Sequence, residues 1–145
     1  MYYIEVKEGE NIDEAFVSSS LDKILDYLKE DGEFSLTFVD DEEIKELNKE
    51  YRDIDSPTDI LTFRLADDDS FPMFEEEEKE LGDIFISLES MSRNAQEFGV
   101  SKEDELRRLL LHGILHLEGF DHKTNDFKNE PMLIRQEEIL KDIFK

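Results

Sequence analysis

The chain reads as an α/β (α+β) protein: a small mixed four-stranded sheet with one antiparallel strand, covered by helices, one of them buried and carrying the first two of the three histidines. Three observations lead there. Four short stretches rich in β-formers alternate with segments whose apolar residues recur at helical spacing. The third and fourth of those stretches are joined with no helix between them, which favours an antiparallel pair, whereas helix-linked strands favour parallel pairing. The run Leu109-Leu110-Leu111-His112-Gly113-Ile114-Leu115-His116-Leu117 is apolar nearly all round, as a helix enclosed by its neighbours is. The order of the strands cannot be read from periodicity.

Residues 2–7 form a short strand pattern broken by Gly9 and Asn11. From Asp13 to about Glu30, the positions of Ala15, Phe16, Leu21, Ile24, Leu25 and Leu28 predict a helix, stopped by Asp31-Gly32. Phe34 to Val39 alternates as a strand does. Asp40 then caps a helix with Glu43 in capping-box position, and Ile44, Leu47 and Tyr51 make its apolar stripe. Residues 52–58 are a loop by their Asp, Ser and Pro content. A third strand covers 59–65 and a fourth covers 81–88. Between them, residues 66–80 form an acidic insertion with Asp67-Asp68-Asp69 and Glu75-Glu76-Glu77-Glu78, read as a solvated loop. A helix follows to about Phe98, closed by Gly99. Ser101 caps the histidine helix, with Asp104 at its third position and an acidic first turn that suits the dipole. A last amphipathic helix covers Asn129 to Phe144 through Met132, Leu133, Gln136, Ile139, Leu140 and Ile143.

Nothing splits this pattern, so residues 1–145 are expected to be one domain, large enough for a core. With no cysteine, disulfide partners, thiolate ligands and cysteine nucleophiles are excluded. The N-terminus lacks the basic and apolar regions of a signal peptide, and no apolar stretch is long enough to span a bilayer. A cytoplasmic protein is expected. The net charge is −23, from 17 basic and 40 acidic residues. Such a surface repels nucleic acid at long range and argues against a general RNA- or DNA-binding protein. Screening acts over about 8 Å, so an RNA-directed function must rest on a local site.

That site is the stretch from His112 to His122, which holds all three histidines. His112 and His116 are one turn apart, so both rings leave the same helix face. Gly119 allows the positive φ with which a chain leaves a helix, and His122 can then return toward the first two rings. Three converging imidazoles describe a zinc site with an open fourth position. Core histidines satisfied by carbonyls are the bland alternative, but they do not need this spacing.

Water on such an ion has a pKa near about 7, which points to hydrolysis. The spacing equals that of the long zincin motif, H-E-x-x-H-x-x-G-x-x-H, in which the Glu is the general base. Here Gly113 stands at that position. Asp121 is either an orienting or proton-handling group or a turn residue, and Glu118 reads as a solvated last-turn residue. Arg52 is suited to grip a phosphate through parallel hydrogen bonds, or else pairs with Asp53, Asp55 or Asp59. Thr58 and Asp59 are candidates for the site floor, Asp59 equally for a strand cap. Lys123 and Lys128 are candidates for RNA contact beside the metal.

The His112–His122 block resembles the YbeY-type bacterial endoribonucleases, also described as ribosomal RNA maturation factors, whose pattern is H-G-x-L-H-L-x-G-[YF]-D-H. Two further blocks support the resemblance. Leu47-Asn48-Lys49-Glu50-Tyr51-Arg52 with Pro57-Thr58-Asp59-Ile60-Leu61-Thr62-Phe63 is similar to L-N-x-x-[FY]-R and P-T-D-V-L-S-F, and Leu81-Gly82-Asp83-Ile84-Phe85-Ile86-Ser87 is the third. Together they span residues 47 to 122 in the family's order. The resemblance implies a single small α/β domain and a metal taken as zinc. It implies cleavage of single-stranded RNA, in maturing the 3′ end of small-subunit ribosomal RNA and in ribosome quality control, with the ribosome or its proteins as partners. The metal histidines map to His112, His116 and His122, and the functional arginine to Arg52. The acidic insertion is not part of the family pattern.

Two other functions remain open on the residues alone. One is a zinc metallopeptidase or amidase with an unusual base. The other is a non-catalytic, metal-containing ribosome-assembly factor, whose ion would be closed by a fourth side chain. Histidine sites also accept other divalent transition metals.

Overall fold

The computed structural model describes residues 1–65, 80–122 and 129–144. Its four strands are β1 (Tyr2–Val6), β2 (Glu33–Val39), β3 (Ile60–Arg64) and β4 (Glu80–Ser87). They lie in the order β1-β2-β4-β3. β1 runs parallel to β2, β2 parallel to β4, and β3 antiparallel to β4, with Leu36 opposite Ile84 and Ile60 opposite Ile86. The expected mixed sheet with one antiparallel strand is therefore the fold. β3, the odd strand, forms an edge.

Alternation along the strands gives the sheet two apolar faces. Phe34, Leu36, Phe38, Ile84 and Ile86 enter the main core with residues of α1 (Glu14–Leu28), α3 (Leu88–Phe98), α4 (Lys102–Leu117) and α5 (Pro131–Ile143). Val39, Leu61, Phe63 and Phe85 turn to the other face, where α2 (Asp41–Arg52) covers them with Ile44 and Leu47. Leu110, Leu111 and Ile114 of α4 are fully buried, so the histidine helix runs through the interior as its composition requires.

Local chemistry sets most helix ends. Asp13, Asp40, Ser87 and Ser101 each accept from the backbone N–H three residues on, satisfying an otherwise orphaned donor. Gly99 closes α3 at φ 68°. Two expectations are corrected. α1 ends at Lys29, not at Asp31-Gly32: Lys29 takes a left-handed conformation, φ 54°, and the Glu30 N–H reaches back to the Leu25 carbonyl. Tyr51 does not belong to the buried stripe of α2. It is 60% exposed and meets Phe63 edge-on at 5.3 Å, while Asn48 takes the buried position and donates to the Ser56 carbonyl at 2.9 Å. The acidic insertion begins at 66, and its residues 66–79 lie outside the described residues, while Glu80 already belongs to β4. No described helix is long and apolar enough to cross a membrane.

Candidate metal centre

α4 brings His112 and His116 out on one face, one turn apart. Their ring centroids are 4.6 Å apart and their Nε2 atoms 3.1 Å apart. On the adjacent side of that turn Gly113 is pressed against the sheet. A Cβ there would come within 2.9 Å of Ile84 Cδ1 and 3.2 Å of Ile60 Cδ1. The position at which a zincin carries its general base thus faces β3 and β4, and the close approach of helix to sheet leaves room for no side chain. The absent glutamate has a packing cause.

The chain leaves α4 through Glu118 and Gly119, the latter at φ 107°. The Gly119 N–H donates to the His116 carbonyl and the Phe120 N–H to the Leu115 carbonyl, both at 3.0 Å. Arg64 braces this turn. Its Nε donates to the Leu117 carbonyl at 3.1 Å, at the negative end of the helix, and a Cβ on Gly119 would meet its Nη2 at 2.9 Å. His122 then returns, with ring centroids 5.2 Å from His112 and 5.3 Å from His116. Gly119 acts as expected.

The three histidines offer ligand atoms that all lie within 4.8 Å of one another. Two nitrogens on one tetrahedral ion, each at about 2.05 Å, stand about 3.3 Å apart. The His112–His116 separation is close to that. His112 Nδ1 sits 2.7 Å from Gln136 Oε1 on α5, so Nδ1 carries the proton and Nε2 presents a lone pair to the cluster. Burial pushes the His112 ring below its ordinary pKa. It pushes His116 down to about 4, helped by His112 and His122 nearby. Both rings are therefore neutral near pH 7, the form that binds a metal. The group can hold a metal ion.

Two lobes of a cleft meet here. One, of about 670 Å³, is lined by Thr58, Asp59, Asn94, Phe98 and all three histidines. The other, of about 610 Å³, is lined by Arg52, Arg64, Phe120, Asp121, His116 and His122. Ile60 and Thr62 of β3 floor both. The structure thus gathers every candidate among the described residues around one cleft, with differing closeness. Arg52 makes no ion pair with Asp53, Asp55 or Asp59. Its Nη2 donates to the Thr62 carbonyl at 2.6 Å and its guanidinium lies 5.2 Å from the Phe63 ring centre. Asp59 accepts from Asn94 Nδ2 at 2.9 Å through one oxygen and faces Thr58 at 3.4 Å through the other, and its carbonyl accepts from the Ser87 N–H. It both braces a strand junction and lines the cleft. Asp121 is 84% exposed, accepts from its neighbour's N–H at 2.8 Å, and comes no nearer to His116 Nδ1 than 3.9 Å, which supports the turn reading. Glu118 is the C-cap of α4 and half-buried. Lys123 and Lys128 lie outside the described residues.

Gln136 was not singled out by the sequence, though it carried a signal: it is the polar member of an otherwise apolar stripe on the last helix, and it is 1% exposed. Beside it, Arg108 is bound to Glu137 at 2.8 and 3.3 Å and to Glu105 at 3.1 Å. Glu105 is 2% exposed, and burial pushes its carboxyl up against the pull of Arg108. These links tie α4 to α5 beside His112.

The family model "Endoribonuclease YbeY" matches residues 3–144. A protein of that name from Treponema denticola is 47% identical over 131 residues, covering 90% of this chain and 83% of the relative. One from Persephonella marina is 40% identical and covers 92% and 85% respectively. One from Bacillus cereus is 39% identical over 143 residues, covering 93% and 91%. The solution structure of a Thermotoga maritima protein superposes with a TM-score of 0.64 at 31% identity, covering 99% of this chain and 89% of that one. With the family model matching residues 3–144 and relatives of 39–47% identity covering nine-tenths or more of it, the chain belongs to the YbeY endoribonuclease family.

Proposed function

We propose that this chain is a zinc-dependent endoribonuclease that cuts single-stranded RNA in the cytoplasm. It acts in maturing the 3′ end of small-subunit ribosomal RNA and in ribosome quality control, with the ribosome or ribosomal proteins as partners. The observation that carries the reading is the trio of clustered imidazoles in an open cleft beside Arg52, which has no carboxylate partner among the described residues. His112, His116 and His122 would hold the ion. Bound there, zinc supplies Lewis acidity toward a phosphoryl oxygen and makes water acidic enough to attack at neutral pH.

The chain's own residues do the rest. Gln136 holds His112 in the tautomer that directs Nε2 inward. Arg52 is held in place by Thr62 and Phe63, with its remaining N–H groups available to a phosphate oxygen. A guanidinium so placed stabilises the charge that grows on the phosphoryl group during attack. Thr58 and Asp59 shape the floor of one lobe.

Nothing favours the two rival readings over this one. A peptidase needs a base, and the place for it is filled by the sheet. An extended peptide would also need the outer edge of β3, where Arg52 already takes the Thr62 carbonyl. A closed structural site needs a fourth ligand, and Asp121 points its carboxylate at the His122 N–H. The test is a pair of substitutions. Arg52→Ala should cut cleavage of a defined single-stranded RNA by about a hundredfold or more while zinc content and folding stay intact. His116→Ala should lose zinc and cleavage together. Unchanged cleavage in Arg52→Ala, or turnover of peptides but not RNA, would defeat the proposal.

A further inference from the structure

A chain of net charge −23 needs a means of holding RNA other than general attraction. Among the described residues, the cleft offers little uncommitted positive charge. Arg108 is bound by Glu105 and Glu137, and Arg64 braces the end of α4. Arg52 alone of the cleft's described arginines is exposed and makes no ion pair. A single phosphate contact of this kind gives weak, shallowly salt-dependent binding.

What the cleft has instead is one exposed phenylalanine in each lobe. Phe98, the last residue of α3, is 59% exposed and lines the lobe that contains all three histidines. Phe120, in the turn between His116 and His122, is 48% exposed and lines the other. Core phenylalanines behave differently: Phe34 is 2% exposed and Phe38 is fully buried. Among the described residues, neither Phe98 nor Phe120 stacks on another ring or carries a cation over its face. The two lobes meet at His116 and His122, so a strand running through both would pass the metal centre between the two rings.

We propose that Phe98 and Phe120 are base-stacking platforms that hold unpaired nucleotides on the two sides of the scissile phosphate. The inference rests on the endoribonuclease reading above and says how that site selects its substrate. Stacking on an aromatic side chain is tolerant of sequence, because every base has a π-face. It demands a base whose own face is free, which a nucleotide inside a duplex does not offer. Single-strand preference then follows from two rings rather than from a positive groove.

The experiment uses the zinc-loaded full chain and an RNA with one defined cleavage point. Phe98→Ala and Phe120→Ala should each raise KM about tenfold, with zinc content and thermal midpoint unchanged. Phe98→Leu and Phe120→Leu should be nearly as weak, and Phe98→Trp and Phe120→Tyr should restore KM, since stacking needs a ring and not merely apolar area. RNA carrying an abasic nucleotide on one side of the cleavage point should raise KM for the parent chain, and the matching Ala variant should add nothing further. Tyr3→Ala, at an exposed aromatic on β1 away from the cleft, serves as the control. Unchanged KM in both Ala variants, or Leu variants as good as the parent, would overturn the stacking role while leaving the nuclease reading intact. No cleavage by the parent chain would overturn both.

Discussion

Gln136 Oε1 accepts a hydrogen bond from His112 Nδ1 at 2.7 Å across the α4–α5 interface, and the amide that does so is 1% exposed. An imidazole has two nitrogens and one proton when neutral. Fixing that proton on Nδ1 leaves Nε2 free to bind, so the last helix determines how the first ligand presents itself. Gln136→Met keeps the volume and removes the acceptor. Zinc affinity, measured by competition with a chelator, should fall about 10- to 100-fold. Gln136→Glu keeps an acceptor and should bind zinc more tightly than Gln136→Met. Equal affinity in all three proteins would show that the contact does not orient the ring.

Gly119 and Arg64 are coupled in the same way on the other side of the site. Gly119→Ala would hold a side chain at φ 107° and press it to within 2.9 Å of the Arg64 guanidinium. The expected cost is about 1–3 kcal/mol of stability, seen as a lower thermal midpoint. His122 follows three residues later, so zinc affinity should drop as well. A normal midpoint with normal affinity would mean that the turn does not position His122.

Gly113 invites an attempt to restore the zincin base. Gly113→Glu should fail, because the carboxylate would be forced between Ile84 and Ile60 at a position with no solvent. Burying an unpaired charge costs several kcal/mol, so the variant should unfold early and hydrolyse no peptide. Gly113→Ala is the milder probe. Overpacking costs about 1–3 kcal/mol and the better helix propensity returns about 1, so a small net loss is expected in denaturant unfolding. A stable, peptidase-active Gly113→Glu protein would contradict this packing.

Protons should destabilise the metal-free protein. Burial holds His116 at about 4 against an ordinary 6.5, so between those values the unfolded chain binds a proton that the folded chain refuses. The contribution is complete above about 6.5 and is lost as pH falls toward 4. Glu105 runs the other way: burial raises its pKa, so its share is lost as pH rises through the folded value. Comparison with His116→Gln cancels that share. After allowance for solvent in the cleft, the parent should lose about 1–2 kcal/mol more than the variant over this range, read by urea unfolding in chelator. Parallel pH profiles would contradict the buried, neutral ring.

What the sequence made legible was what neighbouring residues decide among themselves. Asp40 caps Glu43 and Ser101 caps Asp104 because three residues suffice to bring those groups together. His112, His116 and Gly119 follow from the geometry of one helix and its exit. Contacts between distant segments were out of reach. β4 inserts between β2 and β3 because Ile84 packs beside Leu36, 48 positions away, and no local pattern encodes that choice. Gln136 reaches His112 across 24 residues. Arg52 shows the limit most clearly: acidic neighbours at 53, 55 and 59 suggested an ion pair, yet β3 passes close enough for the Thr62 carbonyl to take the donor instead. The end of α1 is set by Lys29, whose left-handed conformation its residue type does not advertise.

The most direct measurement is elemental analysis of the purified chain together with cleavage of single-stranded RNA before and after chelation. About one zinc per chain is expected, with cleavage abolished when the metal is stripped and restored when zinc alone is returned. Full cleavage by protein shown to contain no metal would contradict the claim that His112, His116 and His122 form the reactive centre.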